Sequence, residues 1–191
     1  MSFDKSPYYK ERFTGLELSA QHVEEVKFDE CSFVDCRFID SKLEKCVFID
    51  CSFQDSVLSA INPVDSRFLR PKFSKCKVIG FDWSKAGKIE NLDFEECQVD
   101  YSNFSSLQLA KIRMVKCSAK EVRFIEANMT DGVFTGTDFM GSTFFKTNLT
   151  RADFRRAINY GIDVRNNTVK NAHFSLPEAM SLLEGLEIRI E

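Results

Sequence analysis

CSFVDCRFIDSKLEKCVFIDCSF, residues 31–53, places a large apolar side chain at every fifth position. These positions are Phe33, Phe38, Leu43, Phe48 and Phe53. An α-helix repeats about every 3.6 residues and a strand every two residues, so neither element explains a period of five. A chain that turns a corner every five residues does explain it. Four corners close a square coil, and successive coils stack about 4.8 Å apart, the spacing of neighbouring β-strands.

The column of apolar residues continues on both sides of this stretch. It runs from Phe13 to Trp83 with Pro63 as the break, slips by one residue within 84–88, and resumes at Ile89. The slip predicts a one-residue bulge or small loop. Residues twenty apart should lie above one another, which predicts two ladders of stacked side chains: Phe13, Phe33, Phe53, Phe73, Phe94, Met114, Phe134, Phe154 and Phe174, and Phe104, Phe124, Phe144 and Val164.

A second column, two residues before the first, holds small or branched side chains and includes all seven cysteines: Cys31, Cys36, Cys46, Cys51, Cys76, Cys97 and Cys117. Their spacing follows the repeat, and no histidine shares their column, so a zinc site is not indicated. An odd number of cysteines also argues against a disulfide framework. We expect buried free thiols, no metal and no cofactor.

The pattern resembles the pentapeptide-repeat family, whose consensus is A(D/N)LXX. The match is carried by CSFVDCRFID, SNFSS, ANMTD, TDFMG, TNLTR and ADFRR, and departures lie at Pro63 and Pro71. The resemblance implies an all-β fold, a right-handed quadrilateral parallel β-helix. We expect one such domain over residues 1–174, with an irregular corner near 157–163 because Asn159 falls at a core position.

Residues 175–191 differ in kind and predict a short helix followed by a strand. Ser175 and Glu178 form a capping-box pattern, and Gly185 is a stop signal. The tail resembles the dimerising tail of the Qnr, MfpA and McbG type of pentapeptide-repeat protein, which implies an end-to-end homodimer. The apolar residues expected to close that interface are Ala179, Met180, Leu182, Leu183, Leu186, Ile188 and Ile190.

Several function classes find no support in the residues. The pattern contains no nucleophile elbow, phosphate-binding loop or dinucleotide fingerprint, and His22 and His173 fall beside core positions where side chains point outward. No apolar run reaches the roughly 18 residues of a membrane span, and the first residues do not resemble a secretion signal. We therefore expect a cytoplasmic protein without enzymatic activity, membrane association or direct nucleic-acid binding.

The outward position two residues after each core residue is strongly acidic in the early coils. From Glu24 to Asp65 there are ten acids against four bases, although the whole chain has a net charge of only −3. The candidate partner-binding residues are Glu30, Asp35, Asp40, Asp50 and Asp55. Corners also favour Asp for turn chemistry and solubility, so this acidity has a structural explanation as well as a functional one.

The resemblance to the Qnr and MfpA type implies a function for these acids. They would imitate the phosphates of DNA, bind a type II topoisomerase such as DNA gyrase or topoisomerase IV, and protect it from quinolone or peptide inhibitors. The alternative is a binding scaffold for another cytosolic protein, unrelated to gyrase. Its contact surface would be the basic group Arg151, Arg155, Arg156 and Arg165.

Overall fold

The chain winds into a four-sided parallel β-helix in which very short strands alternate with corners. The computed structural model describes residue 3, residues 6–186 and residue 188. Most strands are three residues long and carry one buried side chain between two outward ones, as Phe33 does between Ser32 and Val34. Each strand pairs in parallel with the strand one coil away, so the predicted solenoid is confirmed.

The strands lie on four faces. The first face holds β1 (Tyr8–Tyr9), β5 (Lys27–Asp29), β9 (Val47–Ile49), β12 (Arg67–Leu69) and β14 (Lys88–Glu90). The second holds β2 (Arg12–Thr14), β6 (Ser32–Val34), β10 (Ser52–Gln54), β13 (Lys72–Ser74), β15 (Asp93–Glu95) and β16 (Arg113–Val115). The third holds β3 (Glu17–Ser19), β7 (Arg37–Ile39) and β11 (Val57–Ser59). The fourth holds β4 (His22–Glu24), β8 (Lys42–Glu44), β17 (Arg123–Ile125) and β18 (Thr143–Phe145), and isolated parallel bridges extend the faces toward residue 173.

The core contains the predicted ladders of stacked side chains, together with a further stack of Phe28, Phe48 and Phe68 on the first face. From Phe13 to Phe94 the successive ring centroids of the second face are 4.7–4.9 Å apart, with interplanar angles of 8–17°. The shorter ladder stacks Phe104, Phe124 and Phe144 at 5.4 and 5.0 Å. Its expected fourth member, Val164, is only half-buried. Buried aromatic area of this kind is the main favourable term for a chain with so little helix.

The small inward column does more than fill space, because its polar atoms satisfy buried backbone groups. The Ser66 hydroxyl accepts a hydrogen bond from the Cys46 N–H at 2.9 Å and donates to the Leu43 carbonyl at 2.9 Å. Thr137 repeats this arrangement with the Cys117 N–H and the Met114 carbonyl. All seven cysteines are buried and free, as predicted.

The one-residue slip is a short 3₁₀ helix, Trp83–Lys85, inserted at a corner of the fourth face. Before it Phe53 pairs with Phe73, and across it Phe73 pairs with Phe94, so the spacing changes from 20 to 21 residues. Pro63 is buried in the core column and so continues it. The coils on either side of the insertion therefore remain stacked.

The corner near 157–163 differs from the expectation for Asn159. Asn159 is exposed, has a left-handed backbone with φ of 56°, and donates a 2.7 Å hydrogen bond to Asp138. Tyr160, which is 2% exposed, takes the inward position and packs on Phe154 and Phe174. The prediction of a polar core position was wrong because the register advances by one residue, which brings an aromatic ring inward.

The C-terminal segment forms a second 3₁₀ helix, Glu178–Leu186, which contains Gly185 rather than stopping at it. The expected capping box is not used, since the Ser175 hydroxyl accepts the Arg156 N–H at 3.3 Å instead. Leu186, the expected start of the strand, is the last residue of this helix. Of the remaining expected strand, Ile188 has no assigned strand and Ile190 lies outside the described residues.

Candidate protein-binding surface

The five candidate acids all occupy corners at which the backbone is left-handed. The φ angles of Glu30, Asp35, Asp40, Asp50 and Asp55 lie between 48° and 52°, and all five side chains are exposed. Asn and Asp tolerate this conformation better than most residues with a Cβ. The same corners also accept lysine and arginine elsewhere in the chain, so the backbone does not require a negative charge.

Four of the five acids border one flat face. Glu30 and Asp50 precede strands β6 and β10 of the second face, and Asp35 and Asp55 follow them. The side chains between the two acidic columns are small or neutral: Ser32, Val34, Ser52 and Gln54. Asp40 lies one corner further along, after the third face. We call the four acids that border the second face the acidic face.

The two columns of the acidic face differ in their ion pairs. Asp50 accepts two hydrogen bonds from the Arg70 guanidinium at 2.7 and 2.6 Å, which lowers the pKa of its carboxyl. Glu30 lies 3.4 Å from the Lys10 ammonium. In contrast, Asp35 and Asp55 have no cation partner among the described residues, and Asp55 accepts only the Gln54 amide at 3.0 Å. Within the acidic face, the uncompensated charge therefore lies along the edge between the second and third faces, and Asp40 at the next corner also has no cation partner among the described residues.

The acidic face ends at the next coil. Arg70, Lys72 and Lys75 occupy the equivalent positions there and reverse the sign of the surface. Beyond them, acids and bases alternate from coil to coil and pair across one rung, as Arg113 does with Asp93 and Lys116 with Glu96. The patch of like charge is confined to the coils between residues 26 and 59.

The basic group is mostly neutralised. Arg151 donates to Asp131 at 2.6 and 2.8 Å, and Arg155 makes a similar fork with its neighbour Asp153. Arg165 pairs with Asp163 in the same way, and this hydrogen bond lowers the pKa of the Asp163 carboxyl to about 2.

Arg156 is the exception in the basic group, since its guanidinium has no acidic partner within residues 6–186. Three of the four arginines are therefore engaged within the chain itself.

The residues expected at a dimer interface form a partly exposed apolar end. Leu182 packs against the core, while Met180, Leu186 and Ile188 are exposed. Leu176, which the sequence pattern did not single out, is the most exposed large apolar side chain among the described residues at 76%. Ala179 and Leu183 are half-buried, and Ile190 lies outside the described residues.

The described part of the chain offers neither a metal-ligand cluster nor a buried histidine. Residues 6–186 contain no cluster of three or more His, Cys, Asp or Glu suited to a metal ion. His22 is exposed and pairs with Glu44 at 2.8 Å, and His173 is exposed as well.

Burial raises the pKa of Cys51 and Cys117 to about 12, which keeps these thiols protonated at neutral pH. None of the described helices is long and apolar enough to span a bilayer.

Two family models match the chain. The model for the pentapeptide repeat region matches residues 26–104, and the model described as pentapeptide repeats (8 copies) matches residues 123–158. The chain belongs to the pentapeptide-repeat family. The two matched stretches contain the acidic face and Arg151, Arg155 and Arg156 of the basic group.

Solved structures of other pentapeptide-repeat proteins are similar to this chain. HetL, involved in heterocyst differentiation regulation in the cyanobacterium Nostoc sp. strain PCC 7120, is 12% identical, with 88% of this chain and 87% of HetL covered and a TM-score of 0.45. A trypsin-treated form of QnrB1, a plasmid-mediated fluoroquinolone resistance protein, is 19% identical, with 93% and 99% covered and a TM-score of 0.41. Rfr23 from the cyanobacterium Cyanothece 51142 is 8% identical, with 88% and 86% covered and a TM-score of 0.23. No curated protein sequence matches the chain.

Proposed function

We propose that this pentapeptide-repeat protein acts by binding another protein through its acidic face, without catalysis. The partner we propose is a type II topoisomerase, DNA gyrase or topoisomerase IV, which the chain would protect from quinolone or peptide inhibitors. The choice of partner rests on the resemblance of the repeat pattern and tail to the Qnr and MfpA type. The acids would occupy a positively charged groove that normally holds DNA phosphates.

The observation that carries the choice of surface is the stacked pair Asp35 and Asp55. These carboxylates lie one coil apart and have no cation partner within the described residues. Three of the four arginines of the basic group are already paired in the chain. An unpaired surface charge loses no internal partner on binding and can steer encounter with an oppositely charged groove. The geometry therefore favours the acidic face over the basic group.

The test is a supercoiling assay with purified gyrase, with and without ciprofloxacin. The parent chain should restore supercoiling, and restoration should weaken as salt rises, because the Debye length falls to roughly 8 Å at physiological ionic strength. A variant with four neutral substitutions should lose protection: Glu30→Gln, Asp35→Asn, Asp50→Asn and Asp55→Asn. Circular dichroism should show that it keeps its fold, since all four side chains face solvent.

The matched control is Asp131→Asn, which removes a half-buried corner acid of the later coils that is paired with Arg151. It should protect as well as the parent. Full protection by the folded quadruple variant would contradict the proposal. Loss of protection on neutralising Arg151, Arg155 and Arg156 instead would move the contact surface to the later coils.

We also propose a homodimer in which a second copy covers the exposed apolar end. Leu176, Met180 and Leu186 leave apolar area in water there, and an uncovered solenoid end favours association. Light scattering should give twice the chain mass for the parent. A variant lacking residues 175–191 should be monomeric or aggregate. An unchanged oligomeric state with equal solubility would contradict the dimer.

A further inference from the structure

An open groove of about 550 Å³ follows the edge between the third and fourth faces, away from the acidic face. One wall is a column of corner residues: Gly80, Tyr101, Glu121 and Gly141. The opposite wall is the column of residues that precede the core positions of the fourth face: Asp82, Asn103, Arg123 and Thr143. Parallel bridges and strand pairing stack this second column one coil after another.

Two glycines keep the groove open. At Gly80, with φ of +62°, a Cβ atom would meet nothing within 4 Å, so the corner below Tyr101 is empty space. At Gly141, with φ of +72°, a Cβ would overlap the Glu121 Oε1 atom. A side chain at position 141 would therefore displace the Glu121 carboxylate. Both glycines also relieve the strain of a left-handed corner.

Tyr101 is unusual at such a corner. Its φ is 60° and its side chain is 66% exposed. Left-handed corners occur throughout the fold, so the φ angle itself is no mark of function, but Tyr101 is the aromatic side chain among the described left-handed corners. Tyrosine and arginine are also among the side chains enriched at binding hot spots. The groove places Tyr101 and Arg123 on facing walls.

Two opposite charges in the groove are left without partners. Neither the Glu121 carboxylate nor the Arg123 guanidinium makes an ion pair or side-chain hydrogen bond within residues 6–186, although the two residues are only two positions apart. Asp82, which lies on the same wall as Arg123, has several partners by contrast. Asp82 accepts from Ser84 at 2.6 Å and from Asn103 at 3.1 Å, and it lies 3.4 Å from Lys85.

We propose that this groove binds a short extended peptide segment of a partner protein that carries an acidic and a basic residue next to each other. Successive side chains of an extended chain point to opposite sides, so adjacent acidic and basic residues would reach Arg123 on one wall and Glu121 on the other. The groove spans three coil steps, about 14 Å, which accommodates about four extended residues. Tyr101 supplies an apolar surface for the peptide backbone and methylenes.

The experiment is a titration of the uniformly ¹⁵N-labelled protein with four synthetic hexapeptides in a serine–glycine background. The first contains adjacent lysine and aspartate, the second the same two residues separated by one serine, and the others lysine alone or aspartate alone. We expect amide shifts confined to residues 80–82, 101–103, 121–123 and 141–143 with the adjacent peptide. The separated peptide should bind at least about tenfold more weakly, because its two charged side chains point to the same wall.

Two single variants complete the test. Arg123→Gln and Glu121→Gln should each reduce the affinity for the adjacent peptide to that of the corresponding single-charge peptide. Lys116→Gln, at an exposed corner elsewhere, should bind like the parent. Equal affinity for all four peptides, shifts outside the groove, no shifts at millimolar concentration, or unchanged binding by Arg123→Gln would each overturn the proposal.

Discussion

The early coils, residues 26–81, and the later coils, residues 89–174, bury the same columns but present different surfaces. Both halves stack apolar side chains one coil apart, and both satisfy buried N–H groups with inward hydroxyls. Four acids of the early coils, Asp35, Asp40, Asp55 and Asp65, lack a cation partner among the described residues, whereas Arg151, Arg155 and Arg165 of the later coils pair with aspartates. The inward positions thus set the fold, and the outward corners are free to differ.

The corners share one backbone conformation but differ in charge. Left-handed corners occur throughout both halves and carry Asp, Glu, Lys, Arg, Asn, Ala, Ser, Tyr and Gly. The conformation explains why aspartate is accepted there, but not why Asp35 and Asp55 stack one above the other. Stacking two like charges destabilises the fold. A role in binding would explain why the two aspartates are nevertheless placed there.

The largest expected effect tests whether the core of the early coils and the core of the later coils contribute equally to stability. Phe53→Ala and Phe134→Ala should each lower the free energy of unfolding by about 3–5 kcal/mol, because each removes a fully buried ring from a stack. Urea unfolding followed by circular dichroism measures both. Phe145→Ala, at a ring that is 41% exposed, is the control and should change stability by less than about 1 kcal/mol. A much smaller loss for one of the two core variants would show that the halves are not equivalent.

The second prediction concerns the thiols, five of which lie in the early coils and two in the later ones. Native labelling at pH 8 should be slow for all seven. The pKa of about 12 for Cys51 and Cys117 lowers their thiolate fraction by roughly a thousandfold relative to an ordinary thiol. Mass spectrometry after alkylation, with and without urea, measures the protection. Rapid native labelling of four or more cysteines would contradict the inward assignment.

A third, smaller effect distinguishes hydrogen bonding from simple packing in the inward column. Ser66→Ala in the early coils and Thr137→Val in the later coils should each cost about 1–3 kcal/mol, since each leaves a buried N–H without its acceptor. Thr137→Ser, which keeps the hydroxyl, should cost less than Thr137→Val. If Thr137→Val proves as stable as the parent, the column serves only to fill space.

The smallest expected effect is acid destabilisation through the surface ion pairs. Arginine hydrogen bonds lower the folded-state pKa values of Asp50, Asp131 and Asp163, the last to about 2. The stabilisation is therefore fully present above the unfolded-state value of about 4, and is lost as pH falls toward about 2. When urea unfolding is measured between pH 6 and pH 2, the urea concentration at the unfolding midpoint should decrease as the pH drops from about 4 to about 2.

Arg165→Gln, the matched variant for this acid effect, should flatten the decline slightly, since exposed pairs contribute little. A decline that begins above pH 5 would point to other groups.

The sequence alone determined the solenoid, because a period of five with a large and a small inward column fits no other regular structure. The phenylalanine ladders, the buried cysteines and the residue inserted within 84–88 all follow from counting positions, since burial depends only on register. The same counting placed the five acids at exposed corners. Local rules predicted less well where the register changes, as at Asn159, or where the tail adopts a 3₁₀ helix.

Only the tertiary structure decided which charges are free. Ion pairs such as Arg70 with Asp50 join residues 20 apart whose side-chain directions depend on the geometry of both corners. The groove at Tyr101, Glu121 and Arg123 is likewise formed by side chains from successive coils. The repeat pattern did not predict it. A repeat specifies which residues point outward, but the contacts between coils determine which of those residues remain available to a partner.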